Sequence, residues 1–317
     1  MKSVLITGGS GSFGQAFASR ILKDPSVERI AIYSRGEHTQ EEMAHSFNDE
    51  RLRFFIGDVR DLDRLEMAMR GIDTVIHAAA LKIVPTAEYN PTECIATNVT
   101  GAENVVKASL RAKVQRVVAL STDKAVNPIN LYGASKLAAE KIFVAANALA
   151  AGGCHYNVVR YGNVAGSRGS VLPLFKKRKA EGKVLKVTDE RMTRFWITMD
   201  QSVKLVLYAE ELASVGIHSK ILIPKIPSIR IRDLAVAVCD DYGFLEFNTG
   251  IRPGEKIHET LITEDESLNT TDFANFYCID QPGHKKRDYE NRVPPGWRYT
   301  SDTNVDWLTI EQLRGML

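Results

Sequence analysis

The chain has 317 residues, 44% hydrophobic and 25% charged, with a formal net charge of +2. Such a chain can bury one large core or two modest ones, and it lacks the global positive field of a nucleic-acid-binding protein. Its four cysteines, Cys94, Cys154, Cys239 and Cys278, form neither a C-x-x-C nor a metal-ligand spacing, so buried thiols in a reducing cytosol are expected, with no disulfide and no metal.

The amino terminus, "MKSVLITGG", runs straight into a strand pattern, and no later apolar run reaches the length of a membrane span; a soluble, cytoplasmic protein is expected. Short β-branched runs follow in order, "SVLIT", "RIAIYS", "RLRFFIGDV", "TVIHAAA", "RVVALST" and "YNVVRYGNV", separated by segments with helical spacing. Near-continuous apolarity suits strands covered on both faces, so the pattern predicts an α/β fold with a parallel, doubly wound sheet and right-handed crossovers. Beyond about Gly166 the rhythm loosens into "SRGSVLPLFKKRKAEGK", "MTRFWIT", "PKIPSIRIRDL" and "GIRPGEK", which predicts a smaller mixed α/β lobe. The expected division is residues 1–166 with roughly 190–225 in the large domain, and roughly 167–189 with 226–317 in the small one. The polar, Pro-Gly-rich stretch from Pro282 to Gly296 reads as loop, and there is no internal repeat.

"VLITGGSGSFGQAFASRIL" places Gly8, Gly11 and Gly14 between a strand and a helix. The first glycine permits a sharp turn, the second lets a pyrophosphate approach the backbone, and the third lets helix and strand pack closely, as in a Rossmann-type dinucleotide site. At the end of the second strand, where an acidic residue would select the ribose hydroxyls of NAD, the chain reads "YSRGE". A cation at Arg35, next to Ser34, favours the 2'-phosphate of NADP, although Glu37 could fill the acidic role. After the third strand, Asp58 of "GDVRD" could accept from an adenine amino group or cap the next helix.

With "TGGSGSFG", "HAAA" at His77 to Ala80, Asn98 and "YGASK" in order, the sequence resembles the extended short-chain dehydrogenase/reductase superfamily. More narrowly, "YSRGEHTQEEM", "FFIGDVRDLDRL", "HAAALK", "AEYNPTECIATN", "STDKAVNPINLYGASK", "RYGNVAGSRGSV", "MTRFWIT", "PKIPS" and "IRPGEKIHE" resemble the soluble, C5-inverting UDP-N-acetylglucosamine 4,6-dehydratases. That resemblance implies an NADP-bound Rossmann domain, a smaller UDP-sugar domain and a homo-oligomer, a hexamer built from dimers. It implies the product UDP-2-acetamido-2,6-dideoxy-beta-L-arabino-hex-4-ulose, used in bacterial routes to pseudaminic acid or N-acetyl-L-fucosamine. For the cofactor it adds Ser10, Ser12, Phe13, Val59, Ala78, Ala79, Ala80, Lys82, Tyr132 and Lys136 to the residues named above, with Lys136 expected to hold the nicotinamide ribose. Ile83 departs from the family, standing where a histidine is expected.

Tyr132 and Lys136 lie one helical turn apart and can face one site. The Lys136 ammonium is expected to favour Tyr132 phenolate, which takes a proton from a sugar hydroxyl as hydride leaves the same carbon; Thr122 can bond that hydroxyl. A C4 ketone then acidifies the C5 proton. By resemblance, Asp123 protonates the departing C6 hydroxyl and Lys124 abstracts the C5 proton. For that role the Lys124 pKa must fall, and desolvation with the charges of Lys136 and oxidised nicotinamide is expected to lower it against the pull of Asp123. Consecutive strand residues point to opposite faces, so the chain must leave the extended conformation at Thr122 for both side chains to reach one sugar.

For the substrate, the resemblance implies Asn163, Arg194 and Arg252 on the diphosphate and Glu255 on the uridine ribose, with Lys82 and Val171 also in contact. Arginine forks suit paired phosphate oxygens. "FKKRKAEGK" lacks interleaved aromatics and reads as a solvated helix face, with no nucleic-acid role. His77 reads as strand-end packing and Trp196 as core. Two other readings stay open: a UDP-sugar 4-epimerase, which needs Tyr132 and Lys136 but not Asp123 or Lys124, and a non-catalytic NADP-binding sensor.

Overall fold

Valine and isoleucine crowd the strand segments, where branched Cβ atoms suit a pleated surface buried on both sides. The computed structural model describes residues 1–239, 241–280 and 291–317. Strand and helix alternate from the start: β1 (Ser3–Thr7), α1 (Ser12–Ile21), β2 (Arg29–Ser34), α2 (Glu37–Phe47), β3 (Leu52–Ile56), α3 (Leu62–Met69) and β4 (Thr74–His77). Short helices α4 (Val84–Tyr89) and α5 (Pro91–Ile95) lead through a π-helical turn (Ala96–Thr100) into α6 (Gly101–Arg111), β5 (Arg116–Thr122), α7 (Leu131–Leu149) and β6 (His155–Tyr161). Then come β7 (Asn163–Val164), α8 (Val171–Ala180), β8 (Leu185–Val187), β9 (Thr193–Ile197), α9 (Met199–Ser214), β10 (Lys220–Pro224), β11 (Ser228–Arg230) and α10 (Ile231–Val238). The remainder forms β12 (Leu245–Phe247), β13 (Thr260–Ile262), α11 (Glu264–Ser267), β14 (Thr270–Asp272), β15 (Phe276–Asp280), β16 (Tyr299–Thr300) and α12 (Ile310–Gly315).

The nine-stranded sheet runs β14-β15-β10-β6-β5-β4-β1-β2-β3. From β3 to β10 every pairing is parallel. Strand order reverses between β1 and β4, which opens a crevice at their carboxyl ends, the place where such sheets bind ligands. Val4, Leu5, Ile6, Val75, Val117 and Val158 are fully buried in the sheet. Each such side chain contributes about 1.5–3 kcal/mol through removal from water.

A second core gathers Leu172 and Phe175 of α8 with Leu185, Val187, Met192, Trp196, Ile229, Leu234 and Leu313. Trp196 is therefore core, while the lysines of α8 are exposed beside its buried Leu172 and Phe175. The expected grouping of residues 226–317 in the small lobe meets a difference here. The chain returns at 270–280, where β14 and β15 extend the large sheet antiparallel from β10. Cys278, Ile279 and Asp280 are buried and Phe276 and Tyr277 half-buried, and Asp280 pairs with Lys220 of β10, which ties the strand to the flank of the sheet. Residues 282–290 of the expected loop lie outside the described residues; Arg292, just beyond, bridges Thr271.

One buried ion cluster fixes α7 to the sheet. Arg160, 1% exposed on β6, donates to Glu140 Oε1 (3.0 Å) and Oε2 (2.7 Å) on α7. It also donates to both oxygens of Glu266 (3.0 and 2.9 Å) and to Leu261 O.

Candidate active site

The crevice between β1 and β4 carries the glycine loop. Gly8 adopts φ +66°, and a Cβ there would lie 2.9 Å from Ala79 N; one on Gly14 would lie 2.3 Å from Gly9 O. Helix α1 begins after Gly11 with no side-chain cap and no acidic residue in its first turn, so its leading N–H groups are left for an anion. Ala78 N donates to Thr7 O (3.1 Å) and Ala79 N to Thr7 Oγ1 (3.3 Å), which lays Ala78–Ala80 alongside. His77 supports this from beneath: Thr7 Oγ1 bonds its Nδ1 at 2.8 Å, and burial, helped by the Lys136 charge, lowers its pKa to about 3. His77 is a neutral packing residue.

At the rim, the Ser10 and Ser34 hydroxyls meet at 2.8 Å, joined by Thr39 Oγ1 on Ser10 (3.0 Å) and Gln40 Nε2 on Ser34 (2.8 Å). Arg35 is more than half exposed, 3.8 Å from Asp58 Oδ2. Asp58 accepts from Arg60 Nε (3.0 Å) and Nη2 (2.6 Å), and the cap of α3 is Asp61, which accepts from Arg64 N. The alternative of Asp58 as helix cap is thereby corrected: Asp61 stands next to the first helical residue. Val59 packs against Gly101, where a Cβ would come within 2.7 Å of it. Phe13 stacks on Phe17, Ser12 Oγ lies 3.4 Å from Arg168 N, and Lys82 is exposed beyond the Ala78–Ala80 segment. A cradle that any Cβ would fill and uncapped amides beyond it fit a dinucleotide.

Asn98 sits in the π-helical turn, a local widening that occurs often at functional sites. It clamps Leu81 with both side-chain atoms, accepting from Leu81 N (2.8 Å) and donating to Leu81 O (2.9 Å), and it donates to Ser135 Oγ (2.9 Å) on α7. Ile83, two residues after Leu81, is 53% exposed, so its side chain contributes little packing here.

At the end of β5 the chain leaves the strand as expected. Thr122 is extended (φ −150°, ψ 154°), and Asp123–Ala125 form a 3-10 turn that Thr122 caps by accepting from Lys124 N (3.3 Å). Gly133 makes the turn possible, because a Cβ on it would lie 2.1 Å from Lys124 O. Helix α7 starts beside that turn with Asn130 as its cap, and Asn130 Nδ2 donates to Gly254 O (2.8 Å) from the 250s loop. Thr122, Asp123, Lys124 and Tyr132 are thus brought together, close enough for Thr122 and Lys124 to act on the Tyr132 hydroxyl. Burial pushes Tyr132 up to about 12, and Lys124 and Thr122 pull it back. Lys136 is committed to Leu120 O (2.7 Å), and burial lowers it to about 8 against the pull of Glu140. The cation acting on Tyr132 is therefore Lys124.

Asp123 is fully buried; its Oδ1 accepts from Thr122 Oγ1 (2.9 Å) and Lys124 Nζ (3.1 Å). Lys124 Nζ also lies 3.3 Å from Glu259 Oε1. Burial alone would lower Lys124, but Asp123 and Glu259 outweigh it, and its pKa is raised. The expected fall is corrected: two carboxylates, one of them unforeseen, hold the ammonium. Glu259 and its neighbour Lys256 belong to "IRPGEKIHE" but were not singled out from it. The signal was indirect, since a buried lysine at 124 needs a second countercharge and a carboxylate in a loop that reaches the site can supply one.

The substrate residues divide. Arg194 is 6% exposed and donates to Thr193 O (2.7 Å), Ile257 O (3.0 Å) and Lys256 O (2.9 Å), with its Nε 3.6 Å from Glu259. In this conformation its fork supports the 256–259 segment, because those carbonyls reach it first. Arg252 pairs with Glu255 (2.8 Å) at the loop surface. Asn163, on β7 beside Trp196, has a buried Oδ1 with no hydrogen-bond partner among the described residues, and Val171 opens α8.

Residues 4–281 match the family described as polysaccharide biosynthesis protein. A Campylobacter jejuni protein named UDP-N-acetylglucosamine 4,6-dehydratase (inverting) is 49% identical, over 98% of this chain and 96% of its own. A Rickettsia conorii protein named UDP-glucose 4-epimerase is 43% identical, over 100% of this chain and 95% of its own. The X-ray structure of Pen from Bacillus thuringiensis superposes with a TM-score of 0.90 at 36% identity, covering 99% of this chain and 96% of that one.

Proposed function

The chain belongs to the polysaccharide biosynthesis protein family, and from that premise we propose that it is a UDP-N-acetylglucosamine 4,6-dehydratase that inverts C5. The observation that carries this reading is the 3-10 turn, which presents a buried carboxylate and an ammonium 3.1 Å apart beside Tyr132. A 4-epimerase, the activity in the name of the R. conorii relative, has no use for that pair. Burying two charges costs several kcal/mol per ion before pairing, which speaks for a role in chemistry.

A bound nicotinamide would supply hydride acceptance from sugar C4, hydride return to C6, and a positive charge that favours phenolate. Tyr132 is a phenol in the free protein, and Lys124 with Thr122 lowers the cost of its ionisation. Once its own proton has gone to solvent, the Tyr132 phenolate takes the C4 hydroxyl proton. The 3.1 Å contact lets Lys124 pass one proton to Asp123, leaving a neutral amine and a carboxylic acid with no change in net charge. The amine of Lys124 removes the C5 proton, Asp123 protonates the C6 hydroxyl, and C5–H and C6–O break as C5=C6 forms and water leaves. A solvent-derived proton returned to C5 from the opposite face would set the L configuration there. Each positioned acid or base contributes about 10²–10⁴-fold.

The same reading takes NADP as cofactor, through Ser34 and Arg35, and a UDP-sugar on the small lobe held by Asn163, Val171, Arg252 and Glu255, with Lys82 near both. It also takes a cytoplasmic homo-oligomer feeding surface-sugar synthesis. The test is turnover of UDP-N-acetylglucosamine by the holoenzyme in heavy water, read by NMR. Loss of the C6 oxygen with deuterium at C5 is expected; an intact 6-hydroxyl in an epimerised product would replace this reading with the epimerase.

A further inference from the structure

Glu259 is 2% exposed, in a segment that otherwise only borders the site. Its backbone is locked: Glu259 N donates to Ser301 Oγ (2.9 Å) and its carbonyl accepts from Ser301 N (2.8 Å). The Ser301 hydroxyl meets Thr193 Oγ1 at 2.6 Å, which ties this clamp to β9. The carboxylate so placed faces three cations. Oε1 is 3.3 Å from Lys124 Nζ and 3.6 Å from Arg194 Nε, while Oε2 is 3.9 Å from Lys256 Nζ. Arg194 spends its remaining donors on carbonyls, and Lys256 spends a hydrogen bond on Val126 O (2.6 Å). Oε2 has no hydrogen-bond partner among the described residues. A buried carboxylate left half-paired weakens the fold, so its placement calls for another account.

We propose that Glu259 is a positioning residue for Lys124: it holds the ammonium through Oε1 and, balanced by Lys256 at Oε2, sets how readily Lys124 passes its proton to Asp123. The proposal rests on the dehydratase reading. The charged and titratable groups facing Lys124 are Asp123 on its own turn, Tyr132 on α7, Arg194 on β9, and Lys256 with Glu259 before β13. Of these, Glu259 and Lys256 act in opposite directions. The carboxylate favours the ammonium, and Lys256 tempers the carboxylate while repelling the ammonium itself.

The experiment is the pH profile of kcat for water elimination by the holoenzyme, whose acid limb reports the first proton lost by the coupled Asp123–Lys124 pair, the loss that leaves the single proton the two groups share. Glu259→Gln is expected to move that limb down by about one pH unit or more, since a charge at this distance is worth at least that much in a polarisable interior. Lys256→Met is expected to move it up. A packing role would lower activity at every pH and leave the limb in place. Wild-type limbs in both folded variants would overturn the proposal, and if Glu259→Gln does not fold, the direction seen with Lys256→Met decides it. A wild-type enzyme that never eliminates water fails earlier, and sinks the dehydratase reading together with this one.

Discussion

Two buried ion clusters flank helix α7, and they are built on opposite plans. In the first, Arg160 meets both oxygens of Glu140 and both of Glu266, and its planar fork matches the carboxylates it holds. In the second, Asp123, Lys124, Arg194, Lys256 and Glu259 crowd together, yet Asp123 Oδ2 and Glu259 Oε2 are left without hydrogen bonds among the described residues. A saturated cluster has no low-energy way to rearrange its protons. An unsaturated one keeps acceptors open, and a proton can cross it at small cost.

That contrast breaks most directly at Arg160. Arg160→Met leaves Glu140 and Glu266 facing each other in the interior, and urea unfolding is expected to register a loss of about 3–5 kcal/mol. The molecules that remain folded should keep their turnover; a catalytic defect without a stability defect would erase the distinction. Lys124→Ala sharpens the other side. It is expected to lower elimination by about 10²–10⁴-fold, followed as deuterium entering C5, while dinucleotide binding persists and stability falls less than in Arg160→Met. Full turnover in that variant would remove Lys124 from the mechanism.

The smallest effect expected is at Lys136, which lies between the two clusters. Burial lowers its pKa from 10.5 to about 8, with Glu140 pulling the other way. Between those values the unfolded chain binds more protons than the folded one, so the Lys136 contribution to stability rises with pH from about 8 toward 10. Cofactor-free wild type should gain stability over that window relative to Lys136→Met, as measured by urea midpoints; parallel midpoints would show that Lys136 is charged throughout.

Much of this arrangement was legible before any coordinates. Gly8, Gly11 and Gly14 carry their meaning in local backbone geometry, and the alternation of apolar strands with helices determines which edges of the sheet meet. The break in the chain at Thr122 followed from strand geometry once the resemblance had assigned both Asp123 and Lys124 to one sugar. The rest depends on approach between distant segments. Glu259 comes to Lys124 only because β13 and the loop before it fold back over the turn. Arg194 was read as a phosphate ligand by resemblance, through its place in "MTRFWIT", but nothing local says that the Ile257 and Lys256 carbonyls arrive at it. Asp58 was read as a possible helix cap, and the cap proved to be Asp61, three residues on, a shift close to the ordinary uncertainty of a helix boundary. β14 and β15 were assigned with the small lobe because pairing partners, unlike propensities, are not written in the strand itself.

The π-helical turn at Ala96–Thr100 makes chain length a chemical variable. It holds one residue more per turn than the α-helix it interrupts, and each residue of an α-helix turns the chain by about 100°. The surplus residue therefore sets the azimuth of Asn98 relative to α6, and with it the grip on Leu81 and Ser135. Shortening the segment by one position would relax it into a regular helix and turn Asn98 out of register, without altering any residue in contact with a sugar. Among homologous chains, a one-residue gap here would mark a change of active-site architecture that comparison of the catalytic side chains alone would miss.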